Sequence, residues 1–381
     1  MDQSFPTRTP LRSSALAYNG RVGELYVIFL LNLLLTILTV GIFRFWAIAR
    51  VRRYIWSRTR FQGDRFEYIG TGGELFAGFL IAVGIIAGLA VVATLLAYVL
   101  GQIEPWLAAL PIIALYLALS MLAGTGFYSA QRYRLTRTLW RGIRGGMTGS
   151  ALSYGATWLA YGAMLPFTLF QMLPWVQIRL MERRINASAL GSAPFAFEGR
   201  ARSVYGRYLL AWLGSIALLS VLAAAVFATA GTTIEAILAA TRSESAAELH
   251  DPHINALIAQ VAPFIIAVIV TWAAGSAMLR CWYVAGMFRH VCANTTLAGA
   301  RFASTATGRG LLWLFAGNLL IMVPTLGFGL PFVIQRDLRY LARNLYIEGA
   351  VEGEFLEQGA LKAPRFGEGM FQALDAGGIG F

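Results

Sequence analysis

Seven apolar segments constrain this chain more than any other feature. They run over about 22–43, 76–100, 106–127, 150–175, 206–231, 257–279 and 309–333. A hydrocarbon core about 30 Å thick is crossed by about 20 apolar residues in a helix. Only 13% of the 381 residues are charged, roughly half the share of about 25% found in soluble domains. Too little polar surface is left to face water, so the chain reads as a polytopic integral membrane protein.

The connections between these segments differ sharply in charge. Residues 44–70 hold seven arginines, 128–148 hold five and no acid, 176–207 hold six, 280–309 four and 334–347 three. Residues 101–105 carry only Glu104, and 232–256 carry Arg242 against Glu235, Glu244, Glu248 and Asp251. Arginine collects in loops that stay cytoplasmic, so the net charge of +12 needs no nucleic-acid partner. Strict alternation of seven spans would push one arginine-rich group outside. If segments one, four and seven enter and leave on the cytoplasmic side, every arginine-rich connection stays inside. Four full spans then remain, at 76–100, 106–127, 206–231 and 257–279.

Internal similarities point the same way. Asn32, Thr39, Gly41, Arg50, Arg53 and Tyr54 recur at a constant offset as Asn318, Thr325, Gly327, Arg336, Arg339 and Tyr340. Thr168, Trp175 and Arg179 form a weaker copy of Thr39, Trp46 and Arg50. Thr59, Phe61, Gly63 and Phe66 return as Thr295, Leu297, Gly299 and Phe302, while Phe66, Tyr68 and Gly70 match Phe195, Phe197 and Gly199. Tyr18-x-Gly20 leads to Gly23-Glu24-Leu25 as Tyr68-x-Gly70 leads to Gly73-Glu74-Leu75. An even number of spans separates the three copies of the first unit. Copies of one orientation must therefore enter and leave on one side; the other reading is an inverted repeat, as in some transporters.

Local chemistry permits a break inside each such unit. Thr39-Val40-Gly41, Pro166 with Pro174, and Pro324 to Pro331 with Gly327 and Gly329 all interrupt a helix. The stretch after Gly41, FRFWAIARVRRYIWSR, is a basic amphipathic helix suited to the head-group level. Phe61–Tyr68 and Leu190–Phe197 read as short strands or extended turns on the cytoplasmic face. Thr71 to Glu74 fits a capping box opening the second segment. Gly78, Gly84, Ala87 and Gly88 suggest close packing of that segment. The first apolar run is too long for a signal-peptide core and lacks a small-residue cleavage site, so the N-terminus is expected to be retained.

The run from Gly23 to Tyr54 (GEL…NLLLTILTVGIFRFWAIARVRRY) and that from Gly63 to Phe76 (GDRFEYIGTGGELF) resemble the YjgN-like bacterial inner-membrane proteins, a family of unknown function numbered 898. Thr138–Arg144 and Thr325–Tyr340 are similar to later motifs of that family, and the similarity spans roughly residues 18–348. The resemblance implies an inner-membrane location and this architecture, and no settled activity. The fourth segment departs from the pattern by lacking the asparagine and glycine.

Candidate chemistry is sparse. Arg50, Arg52, Arg53, Arg132, Arg134, Arg137, Arg141, Arg144, Arg179, Arg183, Arg184, Arg336 and Arg339 make a basic, aromatic-rich surface. Its readings are anionic head-group binding, each arginine near the surface contributing about 1 kcal/mol, or topology determination alone. Asn32, Thr39, Asn318 and Thr325, with Gln171, are the polar intramembrane candidates; they line a path or simply bond within and between helices. Gly70-Thr71-Gly72-Gly73 is a cap rather than a phosphate loop, because Glu74 would repel an anion and no lysine follows. His250, Asp251 and His253 read as a solvated outer loop. Cys281, His290 and Cys292 lack a zinc spacing. No catalytic, cofactor-binding or metal-binding residue is assigned, and no cofactor is expected.

The expected fold is all-α: four full transmembrane helices plus three repeated re-entrant or interfacial units, with short cytoplasmic extended segments. Residues 1–21 form a cytoplasmic segment, 22–348 one membrane domain and 350–381 a flexible Gly- and Glu-rich tail. The repeat units are about 18–70, 149–199 and 304–349, and the helical hairpins about 76–127 and 206–279. The expected function is a non-enzymatic, multi-pass protein of the bacterial inner membrane with both termini cytoplasmic. Its arginine-rich face engages anionic lipid or a partner, such as a second copy or another membrane protein. The alternative is a small-solute transporter or channel built from the broken-helix units.

Overall fold

The computed structural model describes residues 13–14, 16–242 and 252–349. The chain forms two compact units. The first takes in residues up to Ala201, Arg289–Thr305 and everything from Leu314 onward; the second takes in Arg202–Phe288 and Ala306–Trp313.

In chain order, the short strands β1 (Ser13–Ser14) and β2 (Leu16–Tyr18) lead to helices α1 (Val22–Leu38) and α2 (Arg44–Arg58). The hairpin β3 (Thr59–Phe61) and β4 (Asp64–Tyr68) leads to the long helices α3 (Gly72–Gly101) and α4 (Ala109–Thr136). Then come β5 (Thr138–Trp140), β6 (Ile143–Met147), α5 (Ala151–Phe167), α6 (Leu173–Asn186), β7 (Ser188–Leu190) and β8 (Ala193–Phe197). The chain continues with α7 (Arg202–Arg242), α8 (Pro252–Ala293), β9 (Thr295–Leu297), β10 (Ala300–Ser304), α9 (Gly308–Met322), α10 (Leu330–Asn344) and β11 (Leu345–Glu348).

Four helical stretches are long and apolar enough to cross a bilayer: Gly72–Gly101, Pro105–Thr136, Arg202–Thr229 and Ala259–Ala293. They fall on the four full spans expected from charge. Helices α1 and α9 are apolar but have 17 and 15 residues. At 1.5 Å per residue they reach only about 22–26 Å, short of the bilayer core. Helix α3 opens with the anticipated capping box, in which Thr71 Oγ1 accepts the Glu74 N–H at 3.3 Å and Glu74 accepts the Thr71 N–H at 3.5 Å. Small residues do not work quite as expected, because Gly84 and Gly88 on α3 face open space. Close packing occurs instead between α4 and α5: a Cβ on Gly124 would overlap Trp158, and one on Gly155 would overlap Thr125.

The extended segments do more than the sequence suggested. All eleven strands join one sheet in the order β1-β11-β10-β9-β8-β7-β6-β5-β4-β3-β2. The two ends of that order, β1 and β2, are separated by one residue of chain, so the sheet curls almost back on itself. Every pairing is antiparallel, including Leu16 with Phe61, Phe66 with Trp140, Gly145 with Leu190, Phe195 with Leu297, and Phe302 with Ile347. The curl leaves only the short strands β1 and β2 as edges, and short edges limit the strand-to-strand pairing that invites aggregation. The hairpins turn on two-residue loops with positive φ at both positions: Gln62-Gly63, Arg141-Gly142 and Ala298-Gly299. Such mirror-image turns match the twist of the flanking strands. The inner face is filled by Phe61, Trp140, Ala193, Leu297, Ala300 and Ile347. Trp140 is fully buried and donates its indole N–H to the Phe61 carbonyl at 3.1 Å.

Three helical hairpins share one turn. After α1, Gly41 N–H bonds the Thr36 carbonyl and Val40 N–H bonds that of Ile37. After α5, Phe170 bonds Leu165 and Leu169 bonds Pro166; after α9, Gly327 bonds Met322 and Leu326 bonds Val323. This is a Schellman ending, and Val40, Leu169 and Leu326 occupy its left-handed position at φ 51°, 48° and 48°. In the second unit α7 and α8 run antiparallel: Tyr208 packs edge-on to Tyr283 at 5.2 Å, and Trp272 donates to the Ser215 carbonyl at 2.9 Å.

Candidate functional site

The doubled Tyr-x-Gly and Gly-Glu-Leu pattern marks two matching polar nodes where strands pass into helices. In the first, Glu24 at the start of α1 pairs with Arg58 of α2 at 2.8 Å. Tyr54, one turn earlier on α2, bonds both backbone groups of Arg21. In the second, Glu74 at the start of α3 pairs with Arg137 after α4 at 2.7 Å and accepts the Tyr133 hydroxyl at 2.7 Å. Arg53 of α2 donates to the Gly70 carbonyl and Arg339 of α10 to the Gly20 carbonyl, each at 3.4 Å. A side chain on Gly20, Gly70 or Gly199 would overlap the ring of Tyr18, Tyr68 or Phe197 two residues earlier. The recurrent aromatic-x-glycine is therefore a packing device in which the ring folds back over the bare backbone. Burial pushes the Tyr18 hydroxyl well above its usual titration range.

The intramembrane candidates sit at the hairpins. Asn32 is buried; its carbonyl oxygen accepts Arg50 at 3.1 Å and its amide donates to the Ala47 carbonyl at 3.5 Å. Asn32 thus ties α2 back along α1. Asn318 holds the matching place on α9 but donates to the carboxylate of Asp337 on α10 at 2.7 Å. Burial raises the Asp337 carboxyl against the opposing pull of Asn318 and Arg336. The threonines serve the turns. Thr39 donates to Leu35 at 2.8 Å and accepts the Phe43 N–H at 2.9 Å; Thr325 does the same with Ile321 at 2.6 Å and Gly329 at 2.9 Å.

The arginine candidates divide by partner. Among the described residues, Arg50, Arg53 and Arg339 meet neutral oxygens as acceptors and no carboxylate. Arg50 also lies over the Phe43 ring at 5.3 Å. Arg132 donates to the Gly149 carbonyl and lies over Tyr128 at 5.2 Å. Arg141 is paired with Asp64, Arg179 with Glu182 at 2.9 Å and Arg183 with Thr157. Arg144 lies on β6, opposite Leu139 of β5. Arg336 packs against Gly317. Arg52 on α2 and Arg134 on α4 have partners of their own, as does Gln171 beside the second hairpin turn.

Cys281 and Cys292 are buried free thiols, and His290 packs edge-on to Phe197 at 6.4 Å. Among the described residues no cluster of His, Cys, Asp and Glu could hold a metal ion. His250 and Asp251 lie outside the described residues, as does the segment after Gly349.

Comparison with known proteins fits this architecture. A family model described as bacterial protein of unknown function (DUF898) matches residues 13–373. The inner membrane protein YjgN of Escherichia coli O157:H7 is 24% identical over 375 residues, covering 89% of this chain and 90% of that protein. The protein of the same name from Salmonella typhimurium is 41% identical over 66 residues, 17% of each chain. That from Escherichia coli K12 is 35% identical over 71 residues, 19% of this chain and 18% of the other. No solved structure matches. The family match covers nearly the whole chain, sheet and helices alike, and the chain belongs to the DUF898 family of bacterial proteins of unknown function.

Proposed function

We propose that this chain is a non-enzymatic, multi-pass inner-membrane protein whose three short helical hairpins dip into the bilayer from the cytoplasmic side. Its arginines then engage anionic head groups at the base of those hairpins. One observation carries the reading: the hairpin tips are apolar and bare. Val40 is 92% exposed, Phe167 90% and Leu326 89%. A left-handed turn facing water would favour glycine or asparagine, whereas hydrocarbon accepts valine, leucine and phenylalanine. Each unit also leaves the strand ring and returns to it, as the charge argument requires of a re-entrant element. The shared turns support reading the three as one repeated unit. At the base, Arg50, Arg53 and Arg339 retain charge that a phosphodiester can neutralise.

The test uses single cysteines at 40, 169 and 326 carrying an environment-sensitive fluorophore in liposomes. Brominated acyl chains should quench all three. Quenching by an aqueous agent instead would remove the re-entrant reading. A cysteine at 190 should label from the cytoplasmic side, and labelling from outside would overturn the topology. Reversing the charges of Arg50, Arg52 and Arg53 together should reduce the preference for phosphatidylglycerol over phosphatidylcholine; an unchanged preference with normal insertion would rule out head-group binding there.

One observation favours a second reading, a transporter or channel. The Asn318–Asp337 pair puts a half-buried carboxyl inside a hairpin, and ionisable groups at membrane depth tend to mark solute or proton paths. Solute flux in proteoliposomes that is lost in Asn318→Leu would support it, and no flux across a broad panel would exclude it.

A further inference from the structure

We propose that the outer face of the first two strand hairpins binds an aminoalkyl phosphate, through Arg60, Arg65 and Arg141 for the phosphate and Glu67 for the ammonium. This chemistry is shared by ethanolamine phospholipids and free phosphoethanolamine. The site lies on the sheet and does not depend on the helical hairpins entering the bilayer.

Alternation fixes the face. Phe61 and Phe66 belong to the packed interior of the ring, so Arg60 and Arg65, each one residue away, point outward. Arg60 and Arg65 are also direct cross-strand partners. The pair next to the two-residue loop is Phe61 with Asp64, which makes Arg60 with Arg65 the following, non-hydrogen-bonded pair, whose side chains approach more closely. Like charges placed opposite one another destabilise a sheet. Neither guanidinium makes a hydrogen bond or ion pair with any described residue. The equivalent pairs elsewhere are Leu139 with Arg144, Ala189 with Pro194 and Thr296 with Arg301, none of them doubly charged. Among the described hairpins the doubly charged pair is therefore particular to this one.

The two arginines line a cavity of about 420 Å³ together with Asp64, Glu67, Leu139 and Arg141. Arg141 is held at the rim, paired with Asp64 and lying over the Trp140 ring at 4.6 Å. Two guanidinium forks that line one cavity offer the donors that the oxygens of one phosphate accept. Glu67 lies two residues beyond Arg65 on the same outward face, opposite Leu139, and its carboxylate has no partner among the described residues. That carboxylate repels extended polyanions such as nucleic acid and offers an acceptor to an ammonium group beside the phosphate.

The experiment measures thermal unfolding of the full chain in maltoside micelles, which carry no phosphate. Millimolar phosphoethanolamine should raise the melting temperature of the native protein more than equal inorganic phosphate. In Arg60→Gln with Arg65→Gln both responses should vanish, the affinity falling at least about tenfold for each charge-assisted contact removed. The melting temperature of that variant without ligand should rise, because the repulsion is gone; a merely structural pair would lower it. In Glu67→Gln the response to inorganic phosphate should persist and the excess for phosphoethanolamine should disappear. Phosphatidylethanolamine added to the micelles distinguishes the sources. If it abolishes the response to the free compound where phosphatidylcholine does not, the native ligand is lipid; if the response survives, it is soluble. No response of the native protein to either phosphate compound, or an equal response in the double variant, would overturn the proposal.

Discussion

Replacing the hairpin tips gives two opposite signs, depending on what surrounds them. Val40 is β-branched and sits at φ 51°, a region that costs an L-residue about 1–2 kcal/mol. Glycine relieves that strain but loses about 0.5–1 kcal/mol through its extra freedom in the unfolded chain. Val40→Gly should therefore stabilise by up to about 1.5 kcal/mol in any surroundings. Aspartate also tolerates the left-handed region, so Val40→Asp in water should behave much like glycine. In the bilayer a carboxylate near the centre costs about 2.5–3.5 kcal/mol. A 17-residue α1 reaches about 26 Å, deep enough to bring its tip toward that region. The net effect of Val40→Asp should then be a loss of about 1.5–3 kcal/mol. Leu169 and Leu326, both at φ 48°, should repeat the pattern. Urea or dodecyl sulfate unfolding in bicelles, followed by tryptophan fluorescence, reads these differences directly. If Val40→Asp proves as stable as Val40→Gly at all three tips, the tips do not lie in hydrocarbon.

Two further outcomes follow from the junctions and from α10. Gly70→Ala should destabilise through overlap with the Tyr68 ring, whereas Gly73→Ala meets open space and should gain about 0.5–1 kcal/mol from helix propensity; equal effects in unfolding assays would remove the packing explanation of the aromatic-x-glycine pattern. Asp337 is raised by burial in the folded state, so the native protein holds this proton to higher pH than the unfolded chain does. Its contribution is then greatest below the ordinary aspartate value of about 3.9 and is lost as pH rises through the raised folded value. Melting temperature should decline over that window in the native protein and less so in Asp337→Asn, which keeps a polar neighbour for Asn318; parallel profiles would refute the assignment.

The four spans were legible because length, hydropathy and arginine placement each report on the bilayer independently. The hairpin breaks were legible through Thr39-Val40-Gly41 and the similar Thr325-Leu326-Gly327, since a left-handed turn leaves a local signature. The ring was not. Its strands have two to five residues, too short for an alternation signal, and Phe66 must find Trp140 across an intervening pair of long helices. The Thr59 and Thr295 motifs did mark individual hairpins, but nothing local says that successive hairpins pair edge to edge. Side-chain partners were equally hidden. Arg53 and Arg339 look like any head-group arginine until the Gly70 and Gly20 carbonyls are placed before them. Asp337 occupies the place of Val51 in the earlier copy, so the pattern gave no reason to expect an acid beside Asn318.

The near-closure of the sheet also dictates an order of assembly. Strand β1 near the amino end pairs with β11, Ser13 lying opposite Ile347. During synthesis the first hairpin can form as soon as α2 has emerged, and each later hairpin can add to the growing edge. The final seam must wait until β11, more than three hundred residues after β1, has left the ribosome and both long helical pairs have been inserted. Until then the newest strand presents an unsatisfied edge. A nascent chain stalled before Leu345 would keep its membrane helices yet leave the ring open, and quality control would meet it as a threaded but unsealed protein.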